Sequence, residues 1–312
     1  MAHYAVEAWS ADLVSEVDQS VPFTLGMFGV SGSPAFPVLV FDDNAAVALH
    51  AVLPLAGRIG ETITGSDSIF GLLQNWDNNF AALGRLAQVL AFDDRAVGYR
   101  GAFTDAEFFQ THAPIGAPRQ IFLVDPDRPH RITMKPPSSV CGPRDQIRLP
   151  SKGGRAMAGV ALGIVIGRGL YRGSCEEAEH AIAGYMVLND IVDAVALERD
   201  DGLMASGGPR LFPAGPCLVP RQFASPLDAL DVRLSINGYV VHSAQDGPFA
   251  VDAARAVFEV AQRSLLLPGD VVGVRFDSER FASRNRPIDD GDFVEATVVS
   301  LGQLFNNCIL ER

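Results

Sequence analysis

The chain has 312 residues, 48% of them hydrophobic, and a formal net charge of −12. That length supports an ample core, while the acidic balance and the lack of clustered Lys/Arg argue against nucleic acid and anionic membrane as partners. No apolar run is long enough to cross a bilayer. The stretch from Met1 to Asp12 lacks the basic-then-apolar pattern of a signal peptide, so a cytoplasmic location is expected. Cys141, Cys175, Cys217 and Cys308 are scattered without a CxxC or a nearby histidine at ligand spacing, and read as small reduced hydrophobes.

The first part opens with short β-like pieces: Phe23–Val30, Pro37–Phe41 and Ala45–His50, with Asp42-Asp43-Asn44 as a hairpin turn between the last two. A helix is predicted from Ser68 to Leu90. Its apolar stripe is Ile69, Leu72, Leu73, Trp76, Phe80, Leu83 and Leu86, which makes Trp76 and Phe80 core contacts. A Pro/Gly-bearing joint, His112–Pro118, closes this part. The expected organisation is a small N-terminal domain over residues 1–112 and a C-terminal domain over 113–312.

Beyond the joint, strands are predicted at Gln120–Val124, Val160–Ile166, Tyr185–Leu188, Leu230–Ile236, Asp270–Phe276, Phe293–Val299 and Leu304–Leu310. Asn237-Gly238 is a hairpin turn of the favoured kind. Two helices interrupt, Cys175–Ala183 capped by Ser174 and Val251–Arg263. Many strands, few helices and no βαβ alternation point to an α+β, β-dominated fold.

Six segments then stand in a telling order: Ala117–Phe122, Met134–Pro143, Gly184-Tyr185 with Asn189-Asp190, Phe212–Pro220, Leu267–Asp270, and Asp290–Ala296 with Leu301-Gly302. Together they resemble the fumarylacetoacetate hydrolase (FAH) family. The resemblance implies a mixed β-roll or sandwich catalytic domain behind a small N-terminal α/β domain. It also implies association as a homodimer, with a mixed dimer with an active paralogue as the alternative.

In that family, two glutamates one residue apart and the Asp of Asn-Asp hold Mg²⁺ or Mn²⁺. Counting back from Gly167, the glutamate positions here are Gly159 and Ala161, and only Asp190 remains. One carboxylate is too few for a hard cation that takes several oxygen ligands, so no metal or other cofactor is expected. The family's base-bearing loop has no room between Leu123 and Lys135. Its lysine ahead of the Pro-x-Gly-Pro segment is replaced by Ala205–Arg210. The substrate-contacting threonine and the Thr-Gly-Thr-Pro turn give way to Asp246-Gly-Pro-Phe249 and Val274-Arg-Phe-Asp277.

The resemblance places Asp190 and Lys135 as the catalytic candidates, with His130 and Arg210 as weaker ones and Asp193 ranked lower. It assigns Asn189, Tyr185, Ser138, Pro213 and Gly215 to a substrate pocket. His130, in a short polar connector, reads first as an exposed loop histidine. Asp190 has two readings. Burial raises its pKa and makes it an acid–base group near neutrality, or it is structural and bonds the turn that follows; Lys135 is its natural counter-charge.

Three functions follow. A metal-independent enzyme would carry out tautomerisation or isomerisation, decarboxylation or cyclisation of a small polyketo or enolisable substrate. A non-catalytic member would bind a ligand or support a partner. A residual divalent-metal, acylpyruvate-type hydrolase would need ligands from elsewhere, and Glu176, Glu177 and Glu179 are spaced as a solvated helix face.

Overall fold

The computed structural model describes residues 20–30, 32–41, 45–126, 128–149, 154–199, 202–228, 230–243, 250–276 and 286–310. The expected turn at Asp42–Asn44, the Asp246–Phe249 segment, Asp277 and the stretch from Met1 to Asp12 lie outside them.

In chain order the strands are β1 (Thr24–Gly29), β2 (Phe36–Val40), β3 (Ala45–Ala48), β4 (Phe103–Asp105), β5 (Gln110–His112), β6 (Ile121–Val124), β7 (Ile132–Met134), β8 (Val140–Cys141), β9 (Ile147–Leu149) and β10 (Ala156–Met157). Then come β11 (Val160–Ile166), β12 (Ile182–Asn189), β13 (Val192–Asp193), β14 (Phe212–Pro220), β15 (Val232–Ile236), β16 (Tyr239–His242), β17 (Val271–Arg275), β18 (Phe293–Val298) and β19 (Gly302–Leu310). The helices are α1 (Leu49–Arg58), α2 (Ile69–Leu73), α3 (Trp76–Phe92), α4 (Cys175–His180), α5 (Ala194–Glu198), α6 (Gly202–Ser206) and α7 (Ala253–Ala261).

A twelve-stranded sheet runs β4-β3-β2-β1-β14-β12-β11-β17-β6-β7, with β5 beside β1 and β8 beside β14. A five-stranded sheet, β16-β15-β18-β19-β9, packs against one of its faces, and β10-β13 form a small ribbon. The N-terminal strands extend the large sheet, because β1 meets β14 with Leu25 opposite Leu218. The joint at 112/113 follows β5, and Leu25 and Leu39 share one core with Ile121, Ala161 and Leu188 from beyond it.

The strands β11 and β12 are buried along their whole length. This explains their near-continuous apolar runs, since a strand covered on both faces needs no polar alternation. Alternation instead sorts side chains between two cores. Val160, Leu162 and Ile164 join Tyr185 and Val187 against the five-stranded sheet, α4 and α7. Ala161 and Val165 join Met186 and Leu188 on the face covered by α1–α3.

Three elements differ from expectation. Ala45–His50 stops as a strand at Ala48 and turns into α1, whose Leu49, Val52, Leu55 and Ala56 form a buried stripe while Pro54 stays on the exposed side. The single helix expected over 68–90 is two, α2 and α3. The buried Asn79 takes the Leu72 carbonyl at 2.8 Å and the Thr64 carbonyl at 2.9 Å, which ends the first helix and anchors the second. Phe212–Pro220, with three prolines, is a central strand joining the N-terminal strands to β12. Proline has no ladder donor and is disfavoured there, and the pairing with β12 shifts register between Tyr185 and Val187.

Candidate functional site

The site lies on the face of the large sheet that looks toward α1–α3, and strand register decides who reaches it. Arg275 ends β17 opposite Ala161 of β11, which stands opposite Leu188 of β12. Two residues past Leu188, on the same face, comes Asp190, whose N–H donates to the Gly159 carbonyl at 2.6 Å. Lys135 follows β7, with its N–H on the Ile121 carbonyl at 3.1 Å. Sequence neighbours 55 and 85 positions apart are thus brought to one carboxylate.

Both oxygens of Asp190 are taken. The Lys135 ammonium donates to Oδ1, and the Arg275 Nε donates to Oδ2 at 2.8 Å. Lys135 also donates to the Ile191 carbonyl at 2.8 Å and lies 4.9 Å over the Phe212 ring, so three partners surround its three N–H bonds. Arg275 reaches the Thr133 hydroxyl at 3.4 Å. Lys135 and Asp190 are sealed from solvent, whereas the Arg275 side chain is 28% exposed. Two cations thus meet the one Asp190 carboxylate, and of these three side chains the Arg275 guanidinium is the one that reaches solvent.

Burial pushes the Asp190 carboxyl up, but the Lys135 ammonium and the Arg275 guanidinium outweigh it and hold the group at about 2. The expectation of a raised pKa is therefore corrected: at neutral pH Asp190 is a carboxylate and holds no proton to give. Burial pulls the Lys135 ammonium down, opposed by Asp190, with Arg275 adding to the downward push.

The structure brings Asp190 and Lys135 together and places the other expected residues elsewhere. Tyr185 and Asn189 pair with Ile164 and Val160 on the opposite face, toward the five-stranded sheet, so they do not share a pocket with Asp190. Burial pushes the Tyr185 phenol up to about 12. Ser138 is exposed in the turn Pro137–Ser139, while its neighbour Ser139 is buried and donates to the Pro136 carbonyl at 2.7 Å. Pro213 is buried beside Cys141 on β14. Gly215, with φ of 139°, packs against Pro114 and Pro143, where a Cβ would lie 3.4 Å from each.

His130 is exposed in the turn before β7, and Arg210 is a half-buried turn residue with φ of 59°. Asp193 caps α5, accepting from the N–H groups of Val195 and Arg155 at 2.9 Å each. Glu176, Glu177 and Glu179 lie exposed on α4; Glu177 closes a capping box with Ser174, and Glu179 meets Arg221 at 3.0 Å.

Arg275 was visible in the sequence only as part of a replaced turn. Its one signal is a charge at the end of the apolar strand Val271-Val-Gly-Val-Arg275. Phe212, Thr133 and the Ile191 carbonyl carried none.

The donor set does not suit a divalent metal. Gly159 and Ala161 offer no side-chain oxygen, and the one carboxylate is already neutralised by two cations within hydrogen-bond reach. Among the described residues, no three His, Cys, Asp or Glu side chains converge on a common point.

A sequence model described as "Fumarylacetoacetate (FAA) hydrolase C-terminal" matches residues 115–309. Protein Rv2993c of Mycobacterium tuberculosis is 31% identical over 179 residues, 56% of this chain and 64% of that protein, so the match leaves about a third of the relative unspanned. Among solved structures, a probable 2-hydroxyhepta-2,4-diene-1,7-dioate isomerase from Mycobacterium abscessus superposes with a TM-score of 0.69 at 22% identity, covering 93% of this chain and 99% of the other. Maleylpyruvate hydrolase from Sphingobium sp. SYK-6, in complex with manganese(II) ion and pyruvate, superposes with a TM-score of 0.71 at 18% identity, covering 93% of this chain and 100% of the other. Likeness at that identity shows the shared fold alone. With the family match extending over more than half of its residues, the chain belongs to the fumarylacetoacetate hydrolase family.

Proposed function

We propose that this protein is a metal-independent member of its family that acts on a small enolisable or polyketo acid, by isomerisation, decarboxylation or cyclisation. The observation that carries the reading is the double occupation of Asp190 by Lys135 and Arg275. The divalent-metal hydrolase machinery is lost on this reading, because among the described residues no three His, Cys, Asp or Glu side chains come together for the ion.

The chemistry left to the site is electrostatic. Forming an enolate puts negative charge on an oxygen, and a fixed cation in a partly dry site lowers that barrier. Arg275 is the group placed to do so, since its guanidinium keeps its charge at any working pH and its side chain reaches solvent. Lys135 supports it from beneath the surface, and Asp190 aims both cations. Asp190 is then a positioning residue, and the proton moves between substrate and water.

One observation favours a second reading, a non-catalytic ligand-binding member. Asp190 is ionised far below neutrality and both of its oxygens are occupied by cations, so it is not poised to exchange a proton near pH 7.

The test is ultraviolet assay of the ketonisation of enolised 2-oxo acids by protein treated with a chelator, with ligand affinity measured on the same sample. Acceleration that survives chelation and that Arg275→Gln weakens by about 10–100-fold, the worth of one charge-assisted hydrogen bond, is the expected result. Turnover that appears only with Mg²⁺ or Mn²⁺ would overturn the proposal. Binding of these acids with no acceleration would favour the second reading.

A further inference from the structure

We infer that Arg275 is a tethered counter-cation standing in for a divalent ion beside Asp190, admitted by the small residues at positions 159 and 161. This deepens the metal-free reading of the site and uses its geometry, not any activity.

The strand order makes the contact unusual. Arg275 lies on β17 and Asp190 just past β12, and β11 runs between them. Two strand spacings separate them, about 10 Å, so the arginine must lie across the middle strand to reach its partner. The residue it crosses is Ala161, its direct opposite in the β11–β17 register and fully buried. One step further along the same face is Gly159, whose carbonyl holds the Asp190 N–H and which brings no side chain into the lane.

A side chain longer than a methyl at 161 would stand where the guanidinium runs. The two arrangements therefore exclude one another. Carboxylates at 159 and 161 would leave a negative cluster needing a mobile cation, whereas small residues there leave room for a cation carried by the chain itself. The tethered cation has a fixed single charge, offers N–H donors instead of open coordination positions, and cannot be removed by a chelator.

The experiment converts one arrangement into the other. Gly159→Glu/Ala161→Glu/Arg275→Ala and the wild type are titrated calorimetrically with Mn²⁺, after circular dichroism establishes that both are folded. One equivalent is expected to bind to the triple variant and none to the wild type, and adding Asp190→Asn to the triple variant should abolish the binding. A folded triple variant that takes up no Mn²⁺ would overturn the inference. So would a wild type that binds one equivalent through Asp190.

Should the triple variant not fold, Arg275→Ala alone is melted with and without millimolar ethylguanidinium. A rise in Tm confined to the variant is expected, and no rise would count against the tethered cation. Neither readout involves turnover, so failure of the ketonisation assay leaves this inference standing, and its own failure leaves that assay to be judged separately.

Discussion

Arg275 and Asp190 form an ion pair at 2.8 Å although their strands are not neighbours, and Ala161 stands opposite Arg275 on the strand that runs between them. A larger apolar side chain at that position should act as a wedge. Ala161→Leu is expected to cost about 1–3 kcal/mol from overpacking alone, plus what the displaced ion pair contributed. The diagnostic is non-additivity. Arg275→Ala should cost less in the Ala161→Leu background than in the wild type, as read from urea unfolding midpoints. Equal costs in both backgrounds would mean that the arginine does not run over Ala161.

Lys135 and Asp190 are buried as a pair, and this changes which variants are informative. Asp190→Asn leaves a sealed ammonium without its counter-charge, so a loss of about 3–5 kcal/mol of stability is expected. Lys135→Met leaves Asp190 with Arg275 still bound and should cost less. The double variant Lys135→Met/Asp190→Leu should recover much of the loss, because replacing a buried pair by apolar groups is often neutral. Chemical denaturation of the three proteins checks the order, and a double variant less stable than Asp190→Asn would contradict it.

Two carboxylates should set the acid limb of stability. Asp190 is held at about 2, burial being outweighed by Lys135 and Arg275. Asp292 is held at about 2 chiefly by its bonds from Arg286, at 2.7 and 3.0 Å, with Asn237 and the Asp289 N–H assisting. Both pKa values are depressed below the unfolded value near 4. The native state therefore binds fewer protons between about pH 4 and 2, and the stabilisation is full above the unfolded pKa and fades as pH falls through that window. Unfolding midpoints measured from pH 7 down to 2.5 should drop most steeply below pH 4. Asp292→Asn should make that drop shallower, and an unchanged acid limb would remove Asp292 from the account.

What was legible in the sequence tracks where local physics decides the outcome. The runs Val160–Ile166 and Tyr185–Leu188 announced buried strands because both faces are covered. Ser174 announced its helix through a capping box with Glu177, and Asn237-Gly238 its turn through two residues at φ of 53° and 80°. Where tertiary context overrides local preference, the reading failed. Pro213, Pro216 and Pro220 disguised β14, and Pro54 with the apolar run before it disguised α1. The site was half legible. Lys135 and Asp190 stand in segments that resemble the family's, whereas Arg275 gains its role only from strand order, which no local pattern encodes.

Asn189, next to Asp190 but on the other face of the sheet, has a fully buried amide whose oxygen and nitrogen both lack a hydrogen-bond partner among the described residues. A buried amide without partners carries a desolvation cost of about 1–3 kcal/mol. Its neighbours across the ladder and along the strand, Val160 and Val187, belong to the apolar core. Leucine has the same branching at the same atoms, so Asn189→Leu should leave the packing similar and remove the cost. The expected outcome is a protein more stable by about 1–2 kcal/mol, with the Arg275–Asp190 pair untouched because the sheet separates them. Differential scanning calorimetry at pH 7 decides it. A lower Tm for Asn189→Leu would show that the amide holds a water or a ligand group in the inter-sheet core, and would give that residue a binding role away from the cationic cluster.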